Sequence, residues 1–208
     1  MENFIVVDYN AGNLTSVLNA FAHLGIEVKA SRDPAEIANA DRLVFPGVGA
    51  AKSAMETLTN SGFGNAIAQV IANKRPVLGI CIGCQIILNS SEENGGVKTL
   101  GFIDGKAVRF EEEAGIKIPH MGWNQVHFLK KHPLFEGIAD GSDFYFVHSY
   151  HPAEISPENA LSETTYGSQK FTSALVKENL VATQFHLEKS GDVGLRVLKN
   201  FSCWSGLC

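Results

Sequence analysis

Cys81 stands in Gly79-Ile80-Cys81-Ile82-Gly83, with a small residue two positions to either side. That is the spacing of a nucleophile elbow, in which a tight turn from strand to helix lifts one side chain clear of its neighbours. Glycine suits both flanks because the bend leaves no room for other side chains. The start of a helix favours the thiolate, which is the reactive form of the sulfur. A thiolate nucleophile needs an imidazole in reach and a third group to orient that imidazole. His186 and Glu188, one residue apart near the far end of the chain, supply both. Other readings stay open on these residues alone. Cys81 is equally a buried structural thiol, or the first member of a Cys81-Ile-Gly-Cys84 redox pair. His186 is equally a surface histidine beside an acidic helix start.

The elements that carry these residues are read from the pattern. Phe4-Ile-Val-Val7 is a buried strand, Leu14 to Leu24 a helix with Asn13 as its cap, and Ile26 to Ala30 a second strand. A short helix begins at Asp33-Pro34, and Leu43-Val-Phe45 is a third strand leading into Pro46-Gly47-Val48-Gly49. The run before Cys81 is a further buried strand. Alternation of this kind predicts an α/β fold with a central, mostly parallel sheet flanked by helices, and ligands at the carboxyl ends of the strands. The loop at Gly47, Val48 and Gly49 lies at such an end and offers backbone N–H groups for an oxyanion. It lacks the third glycine and the acidic partner of a dinucleotide site. From Gly95 the pattern becomes antiparallel or mixed, with strands at 106–110, 125–128, 144–147, 171–176 and 180–185, a hairpin turn at Lys177-Glu-Asn179, and His186 and Glu188 on an extended segment sharing a face. A helix after Gly191 closes the chain, and residues 202–208 read as a frayed tail.

The 208 residues suit one domain spanning 1–208. A net charge of −5 provides no basic field, so neither nucleic acid nor a membrane surface is an expected partner. Four cysteines make no disulfide framework, the first residues have no signal-peptide layout, and no apolar run reaches membrane-spanning length. A cytoplasmic location follows as an expectation. No metal or cofactor is expected.

With Gly79-Ile-Cys81-Ile-Gly83-Cys-Gln85 and Phe185-His186-Leu-Glu188-Lys-Ser190 on the page, the chain resembles class I (triad-type) glutamine amidotransferases. Within them, Asp8-Tyr-Asn-Ala-Gly-Asn13 with Ser16-Val17, Pro46-Gly-Val-Gly49, Pro119-His-Met-Gly-Trp-Asn124 and Phe144-Tyr-Phe-Val-His-Ser-Tyr150 are similar to the glutaminase subunits that serve imidazole glycerol phosphate synthases in histidine biosynthesis. The resemblance implies glutamine hydrolysis by Cys81, His186 and Glu188, with backbone donors at Gly49 and Ile82. It implies glutamine binding by Gln85, Glu93, His148, Ser149 and Tyr150, the acidic Glu93 suiting an α-ammonium group. It also implies a heterodimer with a (β/α)8 cyclase subunit that receives the ammonia, with Asn13, Met121, Gly122, Trp123 and Asn124 near the contact. A glutaminase for another synthase, such as a sugar-amidating enzyme, and an inactive binding subunit are the alternatives.

Two residues depart from the family pattern: Leu187 stands where proline is usual, and Cys84 where methionine is usual. Proline fixes its own φ and restricts the residue before it, so Leu187→Pro is expected to be tolerated and to stabilise by ~0.4–1 kcal/mol through the unfolded chain. The glycines of 46–49 are expected to let the oxyanion donors turn away at rest.

Overall fold

The structure, a computed structural model, describes residues 3–9 and 12–207. Asn10 and Ala11 of the first family-like segment lie outside the described residues, as do Met1, Glu2 and Cys208. The first half alternates: β1 (Phe4–Val7), α1 (Leu14–His23), β2 (Lys29–Ser31), α2 (Pro34–Ala38), β3 (Arg42–Gly47), α3 (Ala51–Ser61), α4 (Phe63–Ala72), β4 (Val77–Cys81) and α5 (Ile82–Ile86). The second half is mostly strands: β5 (Ser90–Ser91), β6 (Val97–Lys98), β7 (Lys106–Arg109), β8 (His120–Phe128), β9 (Ser142–His148), β10 (Tyr150–Ala153), β11 (Ala160–Tyr166), β12 (Gln169–Lys177) and β13 (Leu180–Thr183), before α6 (Gly191–Cys203).

Among the described residues the strands form a nine-stranded sheet, β2-β1-β3-β4-β13-β12-β11-β8-β9, and a four-stranded one, β10-β7-β5-β6. The β2-β1-β3-β4-β13 side is parallel and the β13-β12-β11-β8-β9 side antiparallel. The α/β expectation and its antiparallel extension both hold. β13 enters late in sequence but sits beside β4, with Thr183 opposite Ile80. That pairing brings the end of β13, and His186 beyond it, to the carboxyl end of β4 where Cys81 stands.

Strand alternation divides the core into two layers. Phe4 and Val6 of β1 join Leu78 and Ile80 of β4 on one face, while Ile5 and Val7 pack with Phe45 and Ile67 on the other. Local chemistry accounts for the element ends. Asp33 accepts the Ala35 N–H at 2.9 Å, and Pro34 opens α2 as a helix-starting proline should. Glu178 and Asn179 make the tight turn between β12 and β13.

Three expectations change. Asn13 precedes α1 but makes no side-chain cap. The stretch 180–185 stops being strand at Thr183, and Leu187–Lys189 is a 3₁₀ turn, so His186 and Glu188 do not share a strand face. Residues 202–207 are tied down: Trp204 is buried, its indole N–H donates to Leu207 O at 2.7 Å, and the Arg42 guanidinium donates to Phe201 O and Trp204 O at 2.6 Å. A buried guanidinium satisfying the last carbonyls of α6 is a strong reason for that end to stay closed. Among the described residues, no helix is long and apolar enough to cross a membrane.

Candidate active site

Cys81 closes β4 with φ 55° and ψ −102°, a conformation that non-glycine residues rarely adopt and that marks functional strain. Phe45 of β3 explains the flanking glycines. A Cβ on Gly79 would lie 2.9 Å from the Phe45 ring, and one on Gly83 would lie 2.6 Å from the Phe45 carbonyl oxygen. The elbow is thus pressed against β3, and any larger residue at 79 or 83 displaces it.

His186 is placed from the other direction. Its backbone N–H donates to Tyr145 O on β9 at 2.9 Å, and its carbonyl accepts from the Ser190 hydroxyl at 2.5 Å. With φ −86° and ψ 106° it is extended, and the chain then turns so that Glu188 Oε1 comes within 2.7 Å of His186 Nδ1. Both side chains are fully buried. Asn13 completes the arrangement by donating from Nδ2 to the same Glu188 oxygen at 3.0 Å, which is what its side chain does in place of capping. Apart from the nearby Cys81 sulfur, His186 Nε2 has no partner among the described residues and is the ring nitrogen left for that sulfur. Burial opposes protonation of His186, but the hydrogen bond and charge of Cys81, followed by those of Glu188, outweigh it and raise the imidazole to about 10. Burial likewise pushes Glu188 up, and its contacts with His186 and Asn13 bring it below the ordinary carboxylate value.

Cys81 opens onto a cavity of about 400 Å³, a fitting size for a small molecule, lined by Val48, Gly49, Ile82, Gln85, Glu93, His148, Ser149 and Tyr150. Pro119, Val147 and Lys189 also line it and were not named for the site from sequence, whereas the first eight were. Gly47 was too, but it lies within β3 opposite Cys81 and does not line the cavity. A Cβ there would be 2.1 Å from both Ile82 Cγ2 and the Tyr9 hydroxyl, so Gly47 is a packing glycine with no freedom to move. Gly49, at φ 102° with nothing near its missing Cβ, is the adjustable one. A larger cavity of about 570 Å³ between Phe128, Lys131, His132 and Phe135 is lined by no cysteine, serine or threonine.

Several side chains are engaged differently from the simple expectation. Glu93 Oε2 accepts the Ala51 N–H at 2.6 Å and so caps α3, just beyond the oxyanion loop. Gln85 spends its amide hydrogens on Tyr150 O at 2.9 Å and Gln184 Oε1 at 3.1 Å. Cys84 is fully buried in the layer opposite the one holding Cys81, and burial, then the charge of Cys81, raises its thiol well above the ordinary value. That is the environment of an inert thiol and speaks against the redox pair. Met121 and Trp123 point outward on β8, 61% and 56% exposed, so Trp123 is a strand residue and not a loop one. Gly122 between them and Asn124 after them are half-buried on the other side of the strand, and Asn13 is 4% exposed.

Sequence reasoning passed over Gln184, whose Nε2 donates to Cys81 Sγ at 3.8 Å. A polar residue within the apolar run before His186 was the available signal. It also passed over Lys189, which lines the cavity and lies 5.8 Å over the Tyr145 ring beside Trp123. Among the described residues no group of three or more His, Cys, Asp or Glu is arranged to hold a metal.

Residues 5–203 match the family described as glutamine amidotransferase class-I. The chain belongs to the class-I glutamine amidotransferases. It is 46% identical over 198 residues to the imidazole glycerol phosphate synthase subunit HisH 1 of Campylobacter jejuni, covering 95% of this chain and 98% of that one. It is 45% identical over 206 residues to the HisH subunit of Acinetobacter baylyi, covering 99% and 100%. The fold recurs in the PurLQS structure from Thermotoga maritima, with TM-score 0.71, 16% identity and 97% of each chain covered. It recurs again in the glutaminase domain of Trypanosoma brucei CTPS with bound acivicin, with TM-score 0.68, 15% identity and coverage of 97% and 94%.

Leu187, the departure from the amidotransferase pattern, is fully buried in the core layer that also holds Cys81. It is the first residue of the 3₁₀ turn, where a missing N–H is tolerated, and His186 before it already has the extended backbone that proline demands. The main chain therefore accepts proline, but the buried side chain does not come free. Leu187→Pro is expected to keep glutaminase activity while lowering stability by about 1–2 kcal/mol, because lost packing exceeds the entropic gain. This reverses the sign expected from sequence. Thermal melting and a glutamate-release assay on the one variant check it, and inactivity with an intact fold would argue against the roles given to His186 and Glu188.

Proposed function

We propose that the chain is the glutaminase subunit of an imidazole glycerol phosphate synthase, hydrolysing glutamine and passing ammonia to a (β/α)8 cyclase partner in a heterodimer. The observation carrying this reading is that Cys81, with the 2.7 Å His186–Glu188 pair beside it, opens onto the same cavity as the residues expected to bind glutamine. The Cys81 thiolate attacks the side-chain amide carbon. Backbone N–H groups at Gly49 and Ile82 receive the oxyanion. His186 gives its Nε2 proton to the leaving ammonia, producing a γ-glutamyl thioester, and then takes a proton from the water that hydrolyses it. Glu188 holds Nδ1–H throughout and stabilises the imidazolium. The high proton affinity of His186 suits the first of these steps, in which the ring enters protonated and gives its proton to the leaving ammonia. Glu93 has one carboxylate oxygen engaged by α3 and the other for the α-ammonium of the substrate.

The names of the HisH relatives support the cyclase partner, and the exposed Met121 and Trp123 support its docking on β8. The Arabidopsis thaliana protein named hisHF matches this chain at 46% identity over 33% of its own length, which supports a glutaminase module working with a second one. The intact triad weighs against an inactive binding subunit.

The adjustable Gly49 makes the oxyanion loop the element a partner can bias. Glutamate release is accordingly expected to be low in the isolated chain and to rise about tenfold or more on addition of a ligand-loaded cyclase subunit, within the usual range of coupling between sites. Full activity of the chain alone would count against the partner-dependent reading. No glutamate release with or without the partner would sink the glutaminase reading.

A further inference from the structure

His120 and His148 are buried side by side; His148 lines the glutamine cavity, His120 has no part in the chemistry above, and the hydrogen bonds around them determine where every proton lies. His148 Nδ1 is 2.8 Å from Tyr150 O. A carbonyl only accepts, so Nδ1 carries the hydrogen and Nε2 is the acceptor. That Nε2 is 3.1 Å from His120 Nδ1, which must therefore donate. His120 Nε2 is left as an acceptor, and Asn124 Nδ2 lies 3.2 Å from it. The orientation of the Asn124 amide is fixed independently, since Nδ2 also donates to Thr165 O at 2.9 Å and Oδ1 accepts the Gln125 N–H at 2.8 Å. Burial lowers both imidazoles, His120 to about 4, so each ring carries a single proton as this assignment requires.

The file continues beyond Tyr150. Its carbonyl also accepts from Gln85 Nε2 at 2.9 Å; Gln85 in turn donates to Gln184 Oε1 at 3.1 Å, and Gln184 donates to Cys81 Sγ at 3.8 Å. All the donors in the file after Asn124 are buried, so exchange with water does not blur it.

We propose that His120 is a positioning residue of the glutamine site, donating to His148 Nε2 so that the His148 ring keeps its orientation, and joining Asn124, on the strand that bears Met121 and Trp123, to the hydrogen-bonded file that ends on the nucleophile. The proposal rests on the glutaminase reading. With the Tyr150 carbonyl drawn inward by His148 and Gln85, the Ser149–Tyr150 wall of the cavity is held in one position. A partner pressing on Met121 and Trp123 acts on the strand that carries the first members of the file.

The test uses the ring ¹⁵N spectrum of histidine-labelled protein and the glutamate-release kinetics of the complex. The wild-type spectrum is expected to show both His120 and His148 protonated at Nδ1. His120→Phe keeps a ring stacked on Phe146 and Tyr166 but removes donor and acceptor, and His120→Asn restores a donor at the Nδ1 position. In His120→Phe the His148 Nε2 signal moves as its hydrogen-bond donor is lost and kcat falls about tenfold, while in His120→Asn the signal returns and kcat recovers to within about twofold of wild type, as for a group that acts by alignment. An Nε2-protonated His148 in the wild-type spectrum overturns the proposal whatever the variants do. So does a fully active His120→Phe, or a His120→Asn that melts like wild type yet is as slow as His120→Phe. Absence of glutaminase activity in the wild-type complex removes the glutaminase reading instead, and the spectrum still judges the tautomer.

Discussion

Glutamate release is expected to fall by at least about 10³-fold when Cys81 is replaced by Ser or Ala, with the fold and partner binding kept, because the nucleophile alone carries the covalent step. Cys84→Ser is expected to retain most of the activity. The two sulfurs are three residues apart on one turn, yet Cys81 faces the cavity whereas Cys84 packs in the opposite core layer. A hydroxyl at 84 costs some stability in that apolar setting without touching the chemistry. Activity assays of both variants in reducing buffer decide the matter. Equal losses would restore the Cys81–Cys84 redox reading.

The second large effect concerns Glu188. Its Oε1 accepts from both His186 Nδ1 and Asn13 Nδ2, and its Oε2 has no side-chain partner among the described residues. Glu188→Gln can therefore leave a carbonyl oxygen where Oε1 was and place its amide nitrogen at the vacant position, removing charge while preserving shape. The expected loss in kcat is about 10²-fold or more, since the imidazolium loses its counter-charge in a buried site. Stability should respond to pH as well. His186 is raised to about 10, so the stabilisation it brings is complete below its unfolded value near 6.5 and is withdrawn as pH rises through 10. Glu188 is lowered, so its contribution is present above its unfolded value and is lost as pH falls. Melting temperatures are expected to decline from pH 7 to 10 in the wild type and to decline less in Glu188→Gln. Parallel curves for the two proteins would show that the carboxylate does not sustain the imidazolium.

What the sequence reveals here follows from how locally each feature is determined. The elbow is legible because its glycines answer to a bend between adjacent residues, and β1 and β4 because buried parallel strands read as continuous apolar runs. β11 is not legible. Its Ser162 and Thr164 face inward and bond to Ser173 of β12 at 2.9 Å, so a buried face is written in hydroxyls and the usual alternation of apolar and polar residues is absent. Asn13 shows the same limit at the site. An Asn before an apolar helix reads as a cap, and only the fold brings Glu188 to it. α3 escapes notice because its buried positions include two alanines, Ala51 and Ala54, which mark a helix face weakly.

The placement of β13 between β4 and β12 has a consequence for the order in which the protein is made. A chain emerging from the ribosome presents β4 long before residues 180–183 exist to cover its open edge, and an uncovered strand of Val77, Leu78 and Ile80 is a site for wrong pairing. The same delay keeps the nascent enzyme silent. Cys81 and Asn13 are synthesised early, but the imidazole and carboxylate proposed to act with them arrive with residues 186 and 188, so on that reading glutamine hydrolysis waits until translation has passed residue 188.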